Sequence, residues 1–125
     1  MSPGRVQLVA ALLLGLLTWP AGADEKAAPT TAKGLYDLHC ETCHGATGKG
    51  DGDQAIYISP QPQDFTTGLL DKRTDAFLAS VISKGGLANG LADSMPAFPK
   101  LSKADVQALV AYVRQLGKGA AQKPK

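Results

Sequence analysis

The two cysteines of the chain, Cys40 and Cys43, are separated by two residues, and His44 follows the second one directly. Four kinds of chemistry use two thiols and an imidazole in so short a segment. A disulfide suits an exported protein, but it would close a very small loop and leave the histidine unexplained. A thioredoxin-like redox pair needs a βαβ context, which this sequence does not show. A zinc site needs four ligands, and the other histidine, His39, lies on the same short segment.

Covalent haem attachment is the fourth kind and the one that we favour, because C-x-x-C-H is the attachment signature of c-type haem. Two thiols at this spacing can add to the two vinyl groups on one edge of the porphyrin. The adjacent imidazole then lies under the iron as an axial ligand. The segment therefore predicts one covalent haem c, attached through Cys40 and Cys43, with its iron bound by His44.

The second axial position of the iron decides what such a protein can do. When protein fills both positions the haem transfers electrons, and when one is open it can bind gas or peroxide. Met95 is the only methionine besides Met1, and it lies in the loop segment ADSMPAFPK, beside prolines that stiffen the backbone. We predict that Met95 binds the iron. The alternatives are that Met95 is an ordinary core residue and that His39 or Lys100 is the ligand.

The first 23 residues have the pattern of a secretory signal peptide. Arg5 precedes the apolar run Val6 to Leu17, and a small-residue cleavage site ends at Ala23. Because the run is shorter than the ~20 residues of a spanning helix, we expect cleavage and a periplasmic protein. The alternative is an uncleaved anchor that holds the protein at the membrane, facing the periplasm. The expected segments are a signal peptide (1–23), a leader (24–31), a haem-binding domain (32–117) and a tail (118–125).

The rest of the chain predicts three helices and no strands. The first lies in AKGLYDLHC and leads into the cysteine segment; the second begins after an N-cap at Thr74 and ends at a glycine pair. The third covers residues 103–116, begins with the capping pair Ser102 and Asp105, and stops at Gly117. The fold class is therefore all-α, with loops that are long for a compact domain. Such loops are reasonable when a large group other than protein fills the centre.

Three segments in order, CETCHG, SMPAF and a final helix with LVAYV, resemble the small class I bacterial cytochromes c. The resemblance covers about Ala32 to Leu116. It implies the cytochrome c fold, in which three main helices and long loops wrap around one covalent haem. It also implies that the first and last helices cross, with Tyr36 and Tyr112 in contact. Ala32 stands where the family usually has a glycine at this crossing.

The resemblance assigns further polar roles around the haem. In this family a proline carbonyl accepts the ring N–H of the histidine ligand, and SPQPQDF offers Pro60 and Pro62 for that role. Tyr57 and Arg73 are candidates for partners of the haem propionates. Asn89 could donate to the methionine sulfur, although the Asn-Gly pair that it begins is more typical of a turn.

The function implied is that of a periplasmic monohaem electron carrier, not an enzyme, whose iron cycles between ferric and ferrous states under His44 and Met95 ligation. A monomer would meet its donor and acceptor redox proteins transiently. With 13 basic and 11 acidic side chains, the net charge of +2 gives no nucleic-acid footprint. The alternatives are a haem c subunit fixed to a dehydrogenase or oxidase complex and, if Met95 does not bind iron, a ligand-binding or peroxidatic haem protein.

Overall fold

The computed structural model describes residues 31–119, so the predicted signal peptide and most of the predicted leader and tail lie outside the described residues. Within this range the protein is helical and contains no strand. Short 3-10 helices interrupt the loops at Ala55–Tyr57, Phe65–Thr67, Leu69–Lys72 and Leu87–Asn89. The α-helices are α1 (Ala32–His39), α2 (Glu41–His44), α3 (Asp75–Lys84) and α4 (Lys103–Gly117).

Side-chain caps begin the three longer helices where the sequence predicts them. The hydroxyl of Thr31 accepts from the amide of Gly34 at 3.0 Å, and the hydroxyl of Thr74 accepts from the third residue of α3 at 3.1 Å. Ser102 and Asp105 form the full capping box, because each side chain accepts from the backbone of the other. These bonds satisfy amide groups that have no partner inside the helix.

Gly117 is the last residue of α4, whereas the sequence analysis placed it just beyond the helix. A Cβ atom at this position would lie 2.9 Å from the carbonyl oxygen of Phe65. The glycine therefore permits close packing between the end of α4 and the loop 3-10 helix. Termination comes one residue later, where the amide of Lys118 donates to carbonyl groups of the last turn.

The crossing of α1 with α4 organises the core, as the resemblance implies. The rings of Tyr36 and Tyr112 lie 5.2 Å apart between centroids and are tilted by 55°. Tyr36, Leu109 and Leu116 are completely or almost completely buried. The hydroxyl of Tyr36 donates to the carbonyl of Gly45 at 2.7 Å, which ties α1 to the turn that follows His44. Burial raises the pKa of Tyr36, so the hydroxyl stays a donor well above neutral pH.

Arg114 links α4 to the segment that leads into α3. Its Nη1 donates to the carbonyl of Leu70 at 3.0 Å and its Nη2 to the carbonyl of Arg73 at 2.7 Å. Its Nε donates to the carboxylate of Asp75, the first residue of α3, at 2.6 Å. One guanidinium thus fixes two backbone carbonyls and one side chain, a pattern that the fork geometry of arginine allows.

Within residues 31–119, the structure contains no helix that is both long enough and apolar enough to cross a membrane.

Replacing Tyr36 with phenylalanine is expected to destabilise the haem-loaded protein by about 1 kcal/mol, because it removes one of the two hydrogen bonds that the buried carbonyl of Gly45 accepts, the other coming from the amide of Gly48. Urea unfolding, followed by circular dichroism, measures this change. The control is Tyr57→Phe, since Tyr57 is 77% exposed, and it should change the free energy of unfolding by less than about 0.5 kcal/mol. Equal effects of the two substitutions would show that the Tyr36 hydrogen bond contributes nothing.

Candidate functional site

A cavity of about 550 Å³ lies at the centre of the described structure. This size is within the range of ligand pockets, roughly 300–1,000 Å³. Its wall includes Cys40, Cys43, His44 and Met95, which the sequence analysis singled out from separate segments. Apolar side chains of α3 and α4 supply much of the remainder: Phe77, Leu78, Val81, Ile82, Leu109, Val110 and Val113. Several of these residues, among them Ile82, Val110 and Val113, also pack in the core between the helices.

The cysteine segment reaches the cavity through its helical geometry. Cys40 ends α1 and precedes α2, and its carbonyl accepts from the amides of Cys43 at 3.2 Å and His44 at 2.9 Å. Residues three and four apart lie on the same side of a helical turn. All three side chains therefore face the cavity together. Gly45 then reverses the chain with φ of +78°, and a Cβ there would lie 2.1 Å from Oδ1 of Asp51.

Both cysteines are free thiols, with Cys40 buried and Cys43 partly buried. Burial raises the pKa of Cys40 to about 12, with a smaller contribution from Cys43. A thiol–disulfide exchange site depends on a thiolate of lowered pKa, so this environment disfavours the thioredoxin-like alternative. The zinc alternative also lacks support, because residues 31–119 contain no cluster of three or more metal-binding His, Cys, Asp or Glu side chains.

The His44 ring is held by a hydrogen bond and by stacking. Its Nδ1 lies 3.2 Å from the carbonyl oxygen of Gln63, and its plane stacks on Phe65 with centroids 4.6 Å apart. A carbonyl can only accept, so Nδ1 carries the proton and Nε2 keeps its lone pair. Burial lowers the pKa of His44, which favours the neutral ring. A neutral imidazole with a free nitrogen is the form that binds a metal.

The acceptor for His44 is Gln63, and the prediction that Pro60 or Pro62 supplies this carbonyl is wrong. The Pro62 carbonyl points toward the loop after the cysteines, where a Cβ on Gly50 would lie 2.2 Å from its oxygen. The next carbonyl along the chain, that of Gln63, then faces the ring. Both prolines still line the cavity.

Met95 is held in place by backbone contacts with the end of α3. The carbonyl of Met95 accepts from the amide of Gly86 at 2.9 Å, and the amide of Met95 donates to the carbonyl of Ala92 at 3.3 Å. Gly86 must be glycine for this approach, because a Cβ there would lie 2.1 Å from the carbonyl oxygen of Ala92. Three residues after Met95, the amide of Phe98 donates to the carbonyl of Ile82 in α3 at 3.0 Å. The loop therefore holds Met95 in the cavity wall with a defined backbone.

The other polar candidates separate into two groups. Asn89 ends the 3-10 turn Leu87–Asn89 and donates from Nδ2 to the carbonyl of Gly85 at 2.8 Å, as expected for a turn residue. Tyr57 is 77% exposed and does not line the cavity, whereas Arg73 does.

His39 also lines the cavity. Its ring packs on Phe98, with centroids 5.2 Å apart. Gln63 and Phe65 are the two residues that the sequence analysis missed. Phe65, which follows the two prolines closely in the sequence, was only a weak signal for a ring that stacks on His44. The carbonyl of Gln63 gave no signal, because every residue has a backbone carbonyl.

The sequence model of the cytochrome c family matches residues 30–117. The chain belongs to the cytochrome c family. It is also 31% identical over 102 residues to a cbb3-type cytochrome c oxidase subunit, FixP, of Azorhizobium caulinodans. That match covers 79% of this chain and 31% of FixP, so this cytochrome c corresponds to about a third of the length of that relative.

Haem c is the cofactor of this family, and the cavity of this cytochrome c fits it. The wall is apolar, as the faces of a porphyrin require, and it presents two thiols at the attachment spacing. It also presents an imidazole and a thioether, two of the axial ligand types that hold haem iron. The chain is thus an all-α, haem-binding member of its family.

Proposed function

We propose that this protein is an exported monohaem electron carrier of the periplasm, with His44 and Met95 as the two axial ligands of its iron. One observation carries the proposal: the fold brings Cys40, Cys43, His44 and Met95 into the wall of one apolar cavity. The four residues come from two segments that are far apart in the sequence.

Cys40 and Cys43 would hold the haem through thioether bonds. Each thiol would add across one vinyl group of the porphyrin, with its sulfur bonded to one vinyl carbon and its hydrogen transferred to the other. The addition needs no oxidant and leaves no by-product.

When bound, haem c supplies an iron that exchanges one electron between the ferric and ferrous states. The work of the protein is to hold that iron with two ligands and to keep water from it. His44 is oriented by the Gln63 carbonyl, a contact that raises the basicity of a histidine ligand. Thioether ligation by Met95 favours ferrous iron and raises the potential. With both positions filled there is no place for a substrate, which is why we propose a carrier and not an enzyme.

The carrier would act as a monomer between a donor and an acceptor redox protein. Transient redox encounters use small interfaces, below about 1,200 Å². The net charge of +2 gives weak long-range steering and no basis for nucleic-acid binding. In this proposal the protein meets the membrane only if its N-terminal segment is kept as an anchor.

A second candidate is a haem c unit that relays electrons inside an oxidase complex. The similarity to FixP, which is described as a subunit of such an oxidase, favours it. Mild solubilisation and affinity purification from the native host separate the two candidates. The free carrier should elute alone, and the relay unit should elute with oxidase subunits in fixed proportion.

An optical spectrum of protein exported in a host with haem-attachment machinery tests the proposal. We expect a low-spin c-type spectrum, a ferric methionine–iron charge-transfer band and no response of the reduced form to carbon monoxide. A high-spin spectrum that shifts with carbon monoxide would instead favour a ligand-binding or peroxidatic haem protein. If the exported protein contained no haem, both the electron-carrier proposal and the ligand-binding or peroxidatic alternative would be wrong.

A further inference from the structure

Two consecutive glycines, Gly85 and Gly86, follow α3 and begin the loop that carries Met95. The peptide group between these glycines makes one hydrogen bond on each side. Its carbonyl, that of Gly85, accepts from Nδ2 of Asn89 at 2.8 Å. Its N–H, that of Gly86, donates to the carbonyl of Met95 at 2.9 Å. One peptide group thus connects the side chain of Asn89 with the backbone of Met95.

This peptide group would turn easily without its two partners. The rotation of a peptide plane is limited mainly by the side chains beside it, and glycine has no Cβ atom to limit it. Gly85 already lies in the left-handed region, with φ of +84°. Because a peptide group is planar, its carbonyl and its N–H point in opposite directions and turn together. A bond that holds the Gly85 carbonyl therefore also directs the Gly86 N–H toward Met95.

The close approach of the loop keeps side chains away from both glycine positions. A Cβ atom on Gly85 would lie 3.1 Å from the carbonyl oxygen of Met95, and one on Gly86 would lie 2.1 Å from that of Ala92. Both positions therefore favour glycine, and the rigidity that glycine lacks has to come from another residue. Asn89 supplies it from outside the cavity, since Asn89 is not among the residues that line the cavity.

We propose that Asn89 is a positioning residue for the sixth ligand of the iron: its side-chain amide fixes the Gly85–Gly86 peptide group and, through it, the backbone of Met95. The proposal rests on the proposed ligation by Met95 and adds what keeps that ligand in place. Consecutive hydrogen bonds polarise one another, so the bond from Asn89 strengthens the bond to Met95. Loss of the Asn89 amide should let the peptide group turn and let the thioether leave the iron more often.

Asn89→Ala removes the side-chain amide and keeps the backbone of the turn. Ser83→Ala is the matched control, because the hydroxyl of Ser83 also donates from a half-buried side chain to a carbonyl, that of Ala79, at 2.8 Å. The carbonyl that Ser83 holds lies inside α3 and not in the loop that carries Met95. Asn89→Asp keeps the shape of the side chain and replaces its N–H donors with an acceptor, so it should act like Asn89→Ala.

The holoproteins should first be compared by the rate at which excess imidazole replaces the thioether on ferric iron, followed by loss of the ferric charge-transfer band. At saturating imidazole this rate equals the rate at which the methionine leaves. We expect Asn89→Ala and Asn89→Asp to raise it roughly three- to tenfold, the effect of one lost hydrogen bond, and Ser83→Ala to leave it unchanged. Equal rates in Asn89→Ala and Ser83→Ala would overturn the proposal.

Amide hydrogen exchange of the reduced holoprotein, measured by NMR, tests the peptide group directly and does not depend on which residue binds the iron. The Gly86 amide should exchange faster in Asn89→Ala than in the unsubstituted protein, and Ser83→Ala should not change its exchange. An unchanged exchange rate in Asn89→Ala would overturn the proposal even with Met95 as the ligand. If the unsubstituted protein lacked the charge-transfer band, ligation by Met95 would be wrong, and the positioning role of Asn89 with it.

Discussion

Met95→Ala is expected to keep its covalent haem, to lose the ferric charge-transfer band and to bind carbon monoxide when reduced. The potential should fall by an amount on the order of 0.1 V, since axial ligands set haem potentials over a range of ~0.8 V. The reason is that thioether sulfur favours ferrous iron, and water or an open position does not. Attachment should survive, because Cys40 and Cys43 lie on a different segment from Met95.

Leu91→Ala is the control for this experiment. Leu91 belongs to the same loop, also lines the cavity and is 40% exposed, yet it has no group that binds iron. It should retain the charge-transfer band, the potential and the lack of response to carbon monoxide. If Met95→Ala behaved like Leu91→Ala in all three measurements, Met95 would not be the ligand, and His39 would become the first residue to test.

The double variant Cys40→Ala, Cys43→Ala is expected to release all of its haem into acidified organic solvent, whereas the unsubstituted protein should release none. Without thiols, no bond holds the porphyrin against denaturation of the surrounding protein. The release is measured from the absorbance of the two phases after extraction. Cys43→Ala alone should retain haem through the single remaining thioether.

Thr42→Ala gives a matched control for the double variant, because Thr42 lies between the cysteines, lines the cavity and is exposed. It should release no haem. Haem that resisted extraction from the double variant would show that another side chain forms the covalent bond, and the role assigned to the two thiols would be wrong.

Local signals predicted the helix starts well because the interactions that form them are local. Thr74 and Ser102 each accept from an amide three residues along the chain, so both partners are visible in one short segment. The cavity-lining set could also be predicted, since Cys40, Cys43, His44 and Met95 have residue types with few other uses in these contexts. Their meeting in one cavity follows from the fold.

The contacts that escaped prediction join backbone groups or distant segments. Every residue has a carbonyl, so nothing in the sequence distinguishes Gln63 from Pro62 as the partner of His44. The choice depends on how closely the loop at Gly50 approaches Pro62. The three bonds of Arg114 likewise reach positions some 40 residues away. Gly117 was expected to end a helix, and its role became visible only with the Phe65 carbonyl beside it.

The apolar residues around the cavity affect how long a chain without haem survives in the cell. Leu38 is 60% exposed and Leu91 is 40% exposed although both line the cavity, and Val81 is only half-buried, so part of the apolar surface depends on haem for its burial. A chain without haem should therefore open more readily than the haem-loaded protein, and this opening exposes its two thiols for attachment. Such chains are good substrates for proteases. Degradation should thus remove the protein that fails to mature, and the amount that accumulates should follow the supply of haem.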